Sequence, residues 1–352
     1  MSSKPLSSLK IPRNILDKLH HHSIYKIQDL ITKAPMELVK LLSIPLQKVQ
    51  LIFDTCFENL AFDPTNALDL IKKNPVEEKL PNDNFDKLIC EIGILRRGLL
   101  SEVCGPPGVG KTQFLTQLCI TNSLIYPESS TIYIDTENNF SSKRFLEIAS
   151  EKLLTKEKSE EDLIKMTKNI FVFKKFTISE FEEIFIECEI ITRNSSLLII
   201  DSLASIVRRE YSGSDSSILH ERSLFLSKCS SKLKAMAEYL EVSVVLSNQI
   251  ISVSNKPLGN NENNSKPAII EDCSVVPALG FSWSHFVNIR LVLQFVDDTK
   301  RELLVIKSPM KPFTKYIYYI DSCEGITIID SFESFDGQNP CNIKIRTKPY
   351  ST

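Results

Sequence analysis

The chain has 352 residues, 42% hydrophobic and 24% charged, and its 42 basic against 44 acidic residues leave a net charge of −2. That composition can bury a sizeable core and excludes global disorder, and the absent basic excess argues against tight nonspecific DNA binding by the chain alone. Only 10 residues are glycine, well under the roughly 7% of average proteins, which excludes collagen-like and Gly-rich linker classes.

Met1 to Arg13 carries no apolar stretch of the kind a secretory signal needs. Residues 11–60 repeat apolar positions at helical spacing (Ile15, Leu16, Leu19; Ile27, Leu30, Ile31; Leu38, Leu41, Leu42; Val49, Ile52, Phe53), which predicts a small all-α domain over 1–60. His20, His21 and His22 are adjacent on one predicted helix, so they fan around it and do not converge on a metal. Residues 61–84, with Pro64, Pro75 and Pro81 among Asn and Asp, read as a linker. From 85 to 332 short β-branched runs alternate with amphipathic segments. Strands are expected at 99–104, 131–135, 170–173, 197–201, 242–247, 287–295, 302–306 and 315–320. Helical stretches between the first five predict parallel βαβ units; short turns between the last three predict an antiparallel extension. Residues 150–168 read as a solvated helical face, 252–274 as a long mobile loop, and 333–352 as an unassigned tail. The nine cysteines are scattered without a CxxC, as expected of reduced thiols in a cytosolic or nuclear protein. No apolar run approaches the ~18 residues of a membrane helix, so no membrane partner is expected.

Residues 105–112 read GPPGVGKT, the full GxxxxGK[ST] pattern, between the predicted strand LLSEVC and the helix QFLTQLCI. Gly105, Gly108 and Gly110 let the backbone turn its N–H groups onto phosphate oxygens, and the helix behind them aims its positive end at the same anion. Pro106, Pro107, Val109 and Gln113 complete the expected nucleotide contacts. Lys111 is expected to reach the β- and γ-phosphates of ATP, and Thr112 to give its hydroxyl to Mg²⁺. LLIID at 197–201 is a buried strand delivering Asp201 to the same Mg²⁺. YIDTEN at 133–138 puts Glu137 at a strand's carboxyl edge, as either a base for the attacking water or an ordinary surface acid. SNQI at 247–250 puts Gln249 at another strand end, as either a γ-phosphate sensor or a plain polar terminus.

These features, in this order, resemble the RecA-type recombinase family, in the eukaryotic and archaeal branch that adds a small N-terminal helical domain. The resemblance covers about residues 10–330 and rests on GPPGVGKTQF, YIDTE, DSLASIVRREY, ALGFSWSHFVNIRLVLQ and IKSPMKPF. It sharpens toward the recombination-mediator paralogues. It implies an α/β fold: a RecA-like P-loop ATPase core with a mostly parallel sheet flanked by helices, an antiparallel C-terminal extension, and the all-α N-terminal domain. It also implies Glu137 and Gln249 as catalytic with Lys111, Arg144 as the arginine that stacks on adenine, and Asp201 as a second Mg²⁺ position. Residues 209–222 and 251–275 match two DNA-facing loops. The implied partners are other recombinase paralogues in a hetero-oligomer, the main recombinase filament, and single-stranded or branched DNA; the implied location is the nucleus.

Departures from the family shape the expectation further. The first loop has Ser214 and Asp215 after its SG where the recombinases carry an arginine, although Arg208, Arg209 and Arg222 are close by. The second loop has only Lys256 and Lys266 against Glu262, Glu271 and Asp272, without an aromatic. Basic grooves and stacking aromatics are what hold single strands, so modest DNA affinity is expected. The family's linker plug, Phe-x-x-Ala, is replaced by Pro64 near Ala67, which argues against self-polymerisation. The hairpin glycine of the N-terminal domain is missing at LLSIPLQK, where Ser43 stands. Lys307 replaces an acid that caps ATP from the adjacent subunit; it either reaches a neighbour's γ-phosphate or makes a surface salt bridge.

Overall fold

The computed structural model describes residues 5–31, 33, 35–59, 83–155, 159–191, 194–213, 215–254, 273–333 and 345. The chain divides into two compact units, Met1–Glu77 and Glu78–Thr352. Most of the expected linker, the centre of the 252–274 segment, Ser214 and nearly all of the tail lie outside the described residues.

The first unit contains α1 (Arg13–His21), α2 (Ile27–Ile31), α3 (Pro35–Leu42) and α4 (Leu46–Asn59). Their apolar stripes meet in one core that includes Leu6, Leu19, Leu30, Leu38, Leu42 and Val49. The turn between α3 and α4 places Ser43 at φ 52°, in the left-handed region where glycine is normally used. The chain thus keeps the turn without the glycine and accepts the strain. His20 packs on Tyr25 and His21 on His22, and among the described residues no group of three or more His, Cys, Asp or Glu could hold a metal.

The second unit opens with α5 (Asn84–Ile92), whose N-terminus is capped by the Asp83 carboxylate and whose C-terminus stops at Gly93 with φ 76°. It then alternates: β1 (Leu100–Cys104), α6 (Lys111–Ile125), β2 (Ser130–Asp135), α7 (Ser142–Leu154), α8 (Glu160–Lys168), β3 (Ile170–Lys174), α9 (Ile178–Ile191) and β4 (Ser195–Asp201). Next come α10 (Leu203–Glu210), α11 (Ser216–Tyr239), β5 (Ser243–Asn248), β6 (Ile250–Ser254), β7 (Cys273–Pro277) and α12 (Phe281–Phe286). The chain closes the sheet with β8 (Ile289–Phe295), β9 (Arg301–Lys307), β10 (Thr314–Asp321) and β11 (Gly325–Glu333). Nine strands form one sheet in the order β11-β10-β9-β8-β1-β5-β4-β2-β3. Strands β3, β2, β4, β5, β1 and β8 are mutually parallel; β9, β10 and β11 continue antiparallel.

This is the mostly parallel, helix-flanked sheet with an antiparallel extension that the sequence pattern implied. As expected, β8, β9 and β10 run antiparallel to one another, and β8 joins the parallel part of the sheet through β1. Two details correct the expectation. Strand β11 was not among the expected strands. The ends of the 252–274 segment are not loop: Ile250–Ser254 and Cys273–Pro277 pair as an antiparallel ribbon. The apolar runs at those ends are too short to show a period by themselves.

One sheet face packs α6 and its neighbours around Val103, Leu118, Tyr133 and Val245; the other packs α10, α11 and α12 around Leu100, Ile200, Leu246 and Trp283. β1 lies in the middle with all five residues buried, so the loop that follows it is fixed from both faces. Ile345, from the tail, packs on a small cluster of Cys104, Val292 and Leu304. No helix among the described residues is long and apolar enough to cross a membrane.

Candidate nucleotide site

The parallel strands β1, β2, β4 and β5 point their carboxyl ends to one edge of the sheet, where open α/β folds place their ligands. The 105–110 loop leaves β1 there and enters α6. Gly108 and Gly110 adopt φ 75° and 106°, conformations that side-chain-bearing residues resist. A Cβ on Gly105 would lie 2.6 Å from the Leu293 carbonyl oxygen, so the loop can thread past β8 only as glycine. From the far side Tyr318 donates its hydroxyl to the Val109 carbonyl at 3.0 Å, which ties the loop to β10.

Lys111 folds its ammonium back onto the loop, donating to the carbonyls of Gly105 and Pro106 at 2.9 Å each. Burial holds its pKa below the ordinary lysine value, against the opposing pull of Asp201 and Glu137. The loop therefore encloses a partly desolvated cation in a ring of backbone, a cradle whose chemistry suits a polyphosphate. Thr112 donates its hydroxyl to Asp201 Oδ2 at 2.8 Å, bringing the two expected Mg²⁺ positions into contact across β1 and β4. An alcohol and a carboxylate are hard oxygen donors of the kind Mg²⁺ takes through its water shell.

Asp201 is held by more than sequence reasoning found. Tyr133 donates to its Oδ2 at 2.8 Å, and Ser247 donates to Oδ1. Burial raises the carboxyl above the usual carboxylate range, with the three hydroxyl donors acting in the opposite direction. Tyr133 and Ser247 lie inside the quoted YIDTEN and SNQI stretches. Period-2 alternation could have placed Tyr133 on the same side as Asp135, though not its target on another strand.

Glu137 sits beyond β2 on a turn organised by Asp135, whose carboxylate accepts from the N–H groups of Glu137, Asn139 and Phe140 at 3.2, 3.1 and 3.0 Å. Within that turn Asn138 takes φ 59°. Gln249 donates its amide to Glu137 Oε1 at 2.6 Å, and Ser202 donates its hydroxyl to the same oxygen at 2.9 Å. The structure thus joins the two residues whose roles spacing alone left open.

Arg144 is not free. It donates to Gln113 Oε1 at 2.9 Å, to the Asp321 carbonyl at 2.6 Å and to the Ser322 carbonyl, which draws the β10–β11 turn against the start of α6. Lys307 lies elsewhere: it pairs in register with Arg290 near the start of β8, at the sheet edge opposite the phosphate loop. Its ammonium donates to the Val287 and Ser284 carbonyls.

Much of the stretch expected as the first DNA-facing loop, 209–222, is helical: Arg209 and Glu210 end α10, and 216–222 begin α11. Of the three arginines near it, Arg209 donates to the Thr136 carbonyl at 3.2 Å and Arg222 to the Ala278 carbonyl.

Comparison with known proteins agrees with this geometry. Residues 76–329 match the Rad51 family. The chain is 32% identical to the human DNA repair protein RAD51 homolog 2, over 93% of this chain and 90% of that protein. It is 26% identical to the RAD51 homolog 2 of Arabidopsis thaliana over 94% of this chain and 92% of that protein. The XRCC3 homolog of the same plant is 26% identical over 66% of this chain and 80% of that protein. With the phosphate loop, the β4 carboxylate and the Glu137–Gln249 pair assembled on one edge of a RecA-like sheet, the chain belongs to the Rad51 family.

Proposed function

We propose that this chain is an ATP-binding, DNA-stimulated ATPase subunit of a heteromeric recombinase-paralogue complex in the nucleus. The complex would promote recombinase filament assembly on single-stranded DNA during homologous repair of double-strand breaks. The observation that carries the reading is the Thr112–Asp201 and Glu137–Gln249 pairing at the carboxyl edge of β1, β4, β2 and β5. The relatives' names, which place them in DNA repair, support the setting.

In this reading Gly105–Gln113 surround the phosphates and Lys111 leaves its two carbonyls to meet them. Thr112 and Asp201 hold Mg²⁺, which supplies charge neutralisation on the phosphates when bound. Glu137 accepts a proton from the attacking water while Gln249 and Ser202 hold its carboxylate in place. Arg144 would release its turn carbonyls to stack on the base.

Two features support assembly with other subunits over self-assembly. Among the described residues β3 ends the sheet with no strand on its outer edge, and its Phe171 and Val172 are exposed, so an incoming strand could extend it. This chain's own 61–84 segment offers Pro64 where the family's aromatic plug would be. Lys307, on the far edge from its own phosphate loop, would act only on a neighbour's nucleotide.

Electron microscopy of the purified chain with ATP and single-stranded DNA tests the assignment. Short or absent filaments are expected alone, and Mg²⁺-dependent ATP hydrolysis is expected to rise with DNA and with a co-expressed paralogue. Long regular filaments of this chain alone would show it to be a strand-exchange recombinase instead.

A further inference from the structure

Glu102 is a carboxylate in the middle of the central strand, and none of its side chain is exposed. Burying an ion pair is expensive, and apolar residues of the same size often serve stability as well or better. The pair therefore calls for a reason other than stability. Its oxygens are divided between two neighbouring strands. Oε1 accepts from the Asn248 amide at 2.7 Å, and Oε2 accepts from Arg290 Nε at 2.5 Å. The carboxylate thus bolts β5 and β8 to β1 at the level just below the phosphate loop.

Asn248 is the last residue of β5 and the residue before Gln249. Its amide orientation is not free to flip, because its oxygen would then face the Glu102 carboxylate. Asn248 Oδ1 is nevertheless buried without a hydrogen-bond partner among the described residues. The chain tolerates an unsatisfied acceptor to keep the amide on Glu102. One residue on, the Gln249 amide meets Glu137, and the Gln249 carbonyl accepts from the Ala278 N–H at 2.7 Å, closing the β6–β7 ribbon. On the other side Arg290 stands opposite Lys307 across β8 and β9.

We propose that Glu102, Asn248 and Arg290 form a positioning network that fixes where β5 ends, and so sets Gln249 against Glu137 and anchors the β6–β7 ribbon. None of the three touches the nucleotide; they act through Gln249. The inference deepens the proposed ATPase reading and rests on it only for its effect on turnover. A hydrogen-bonded ion pair suits this task because it specifies register and distance, whereas apolar contacts at the same place allow a strand to slip.

The test compares full-length wild type with Asn248→Leu and Glu102→Gln, by hydrogen exchange of residues 249–254 without nucleotide and by ATP affinity and turnover. Asn248→Leu is expected to speed exchange in 249–254 about tenfold while leaving β2 and β4 unchanged, as a local opening does. It should lower turnover by a similar factor with ATP affinity within about twofold, the signature of a misplaced catalytic contact. Glu102→Gln has one acceptor oxygen where the carboxylate has two, so it can serve only one of Asn248 Nδ2 and Arg290 Nε as they stand, and should shift both readouts in the same direction as Asn248→Leu. If Asn248→Leu does not fold, Asn248→Ala, which leaves a gap without overpacking, takes its place. Unchanged exchange in 249–254, or an equal rise in every strand, overturns the proposal. A wild-type chain that fails to hydrolyse ATP would sink the ATPase reading, and the exchange comparison would still decide the network.

Discussion

Replacing Tyr133 by Phe removes one oxygen from the interior and nothing else. The ring stays in the core cluster it shares with Phe114 and Leu118. What disappears is the 2.8 Å hydrogen bond to Asp201 Oδ2, leaving that oxygen with Thr112 alone. A hydrogen bond to a charged group contributes about 1.5–3 kcal/mol. The deleted hydroxyl no longer has to be buried, which returns part of that, so a net loss of about 1–2 kcal/mol is expected. At about 2–4 °C per kcal/mol for a domain of a few hundred residues, the melting temperature should fall by roughly 2–8 °C. With less to hold it, Asp201 should also sample other rotamers. Nucleotide binding with Mg²⁺ should then weaken several-fold, while binding in excess chelator stays the same. Calorimetric melting and titration of ATP with and without Mg²⁺ provide both readouts. A Tyr133→Phe chain that melts with wild type and shows unaltered Mg²⁺-dependent binding would refute the assignment of Asp201 as a held metal-site carboxylate.

Glu137→Gln should keep ATP affinity while lowering turnover at least 100-fold, on the order of a lost general base, in a single-turnover assay. Ser43→Gly should stabilise the helical unit by about 0.5–1 kcal/mol in urea unfolding, since φ 52° is strained for serine and easy for glycine. Burial raises the Asp201 carboxyl, so the nucleotide-free fold binds that proton more tightly than the unfolded chain does. Its contribution is complete below the unfolded pKa of about 4 and is lost as pH rises through the folded value. Asp201→Asn should flatten that part of the pH–stability curve, measured by denaturant unfolding across the mildly acidic range; an unchanged slope would point to another group.

The phosphate loop was legible from residues alone because its chemistry is local. Three glycines, a lysine and a threonine at fixed spacing between a strand and a helix determine the backbone path, and the path makes the site. The alternation of strands and helices likewise followed from periodicity, because a parallel sheet needs a crossover after each strand. What lay beyond the sequence were contacts between residues far apart in the chain. Tyr133 and Ser247 reach Asp201 from separate strands, and spacing along one strand carries no information about another. The strand that β8 joins is open in the sequence for the same reason: a strand's own pattern does not say which neighbour it pairs with, and only the sheet sets β8 parallel beside β1. Glu137 and Gln249 were each ambiguous singly, as a surface acid and a strand-end amide. Only the order β2-β4-β5 within the sheet, set by packing helices on both faces, brings them within 2.6 Å and makes them a pair.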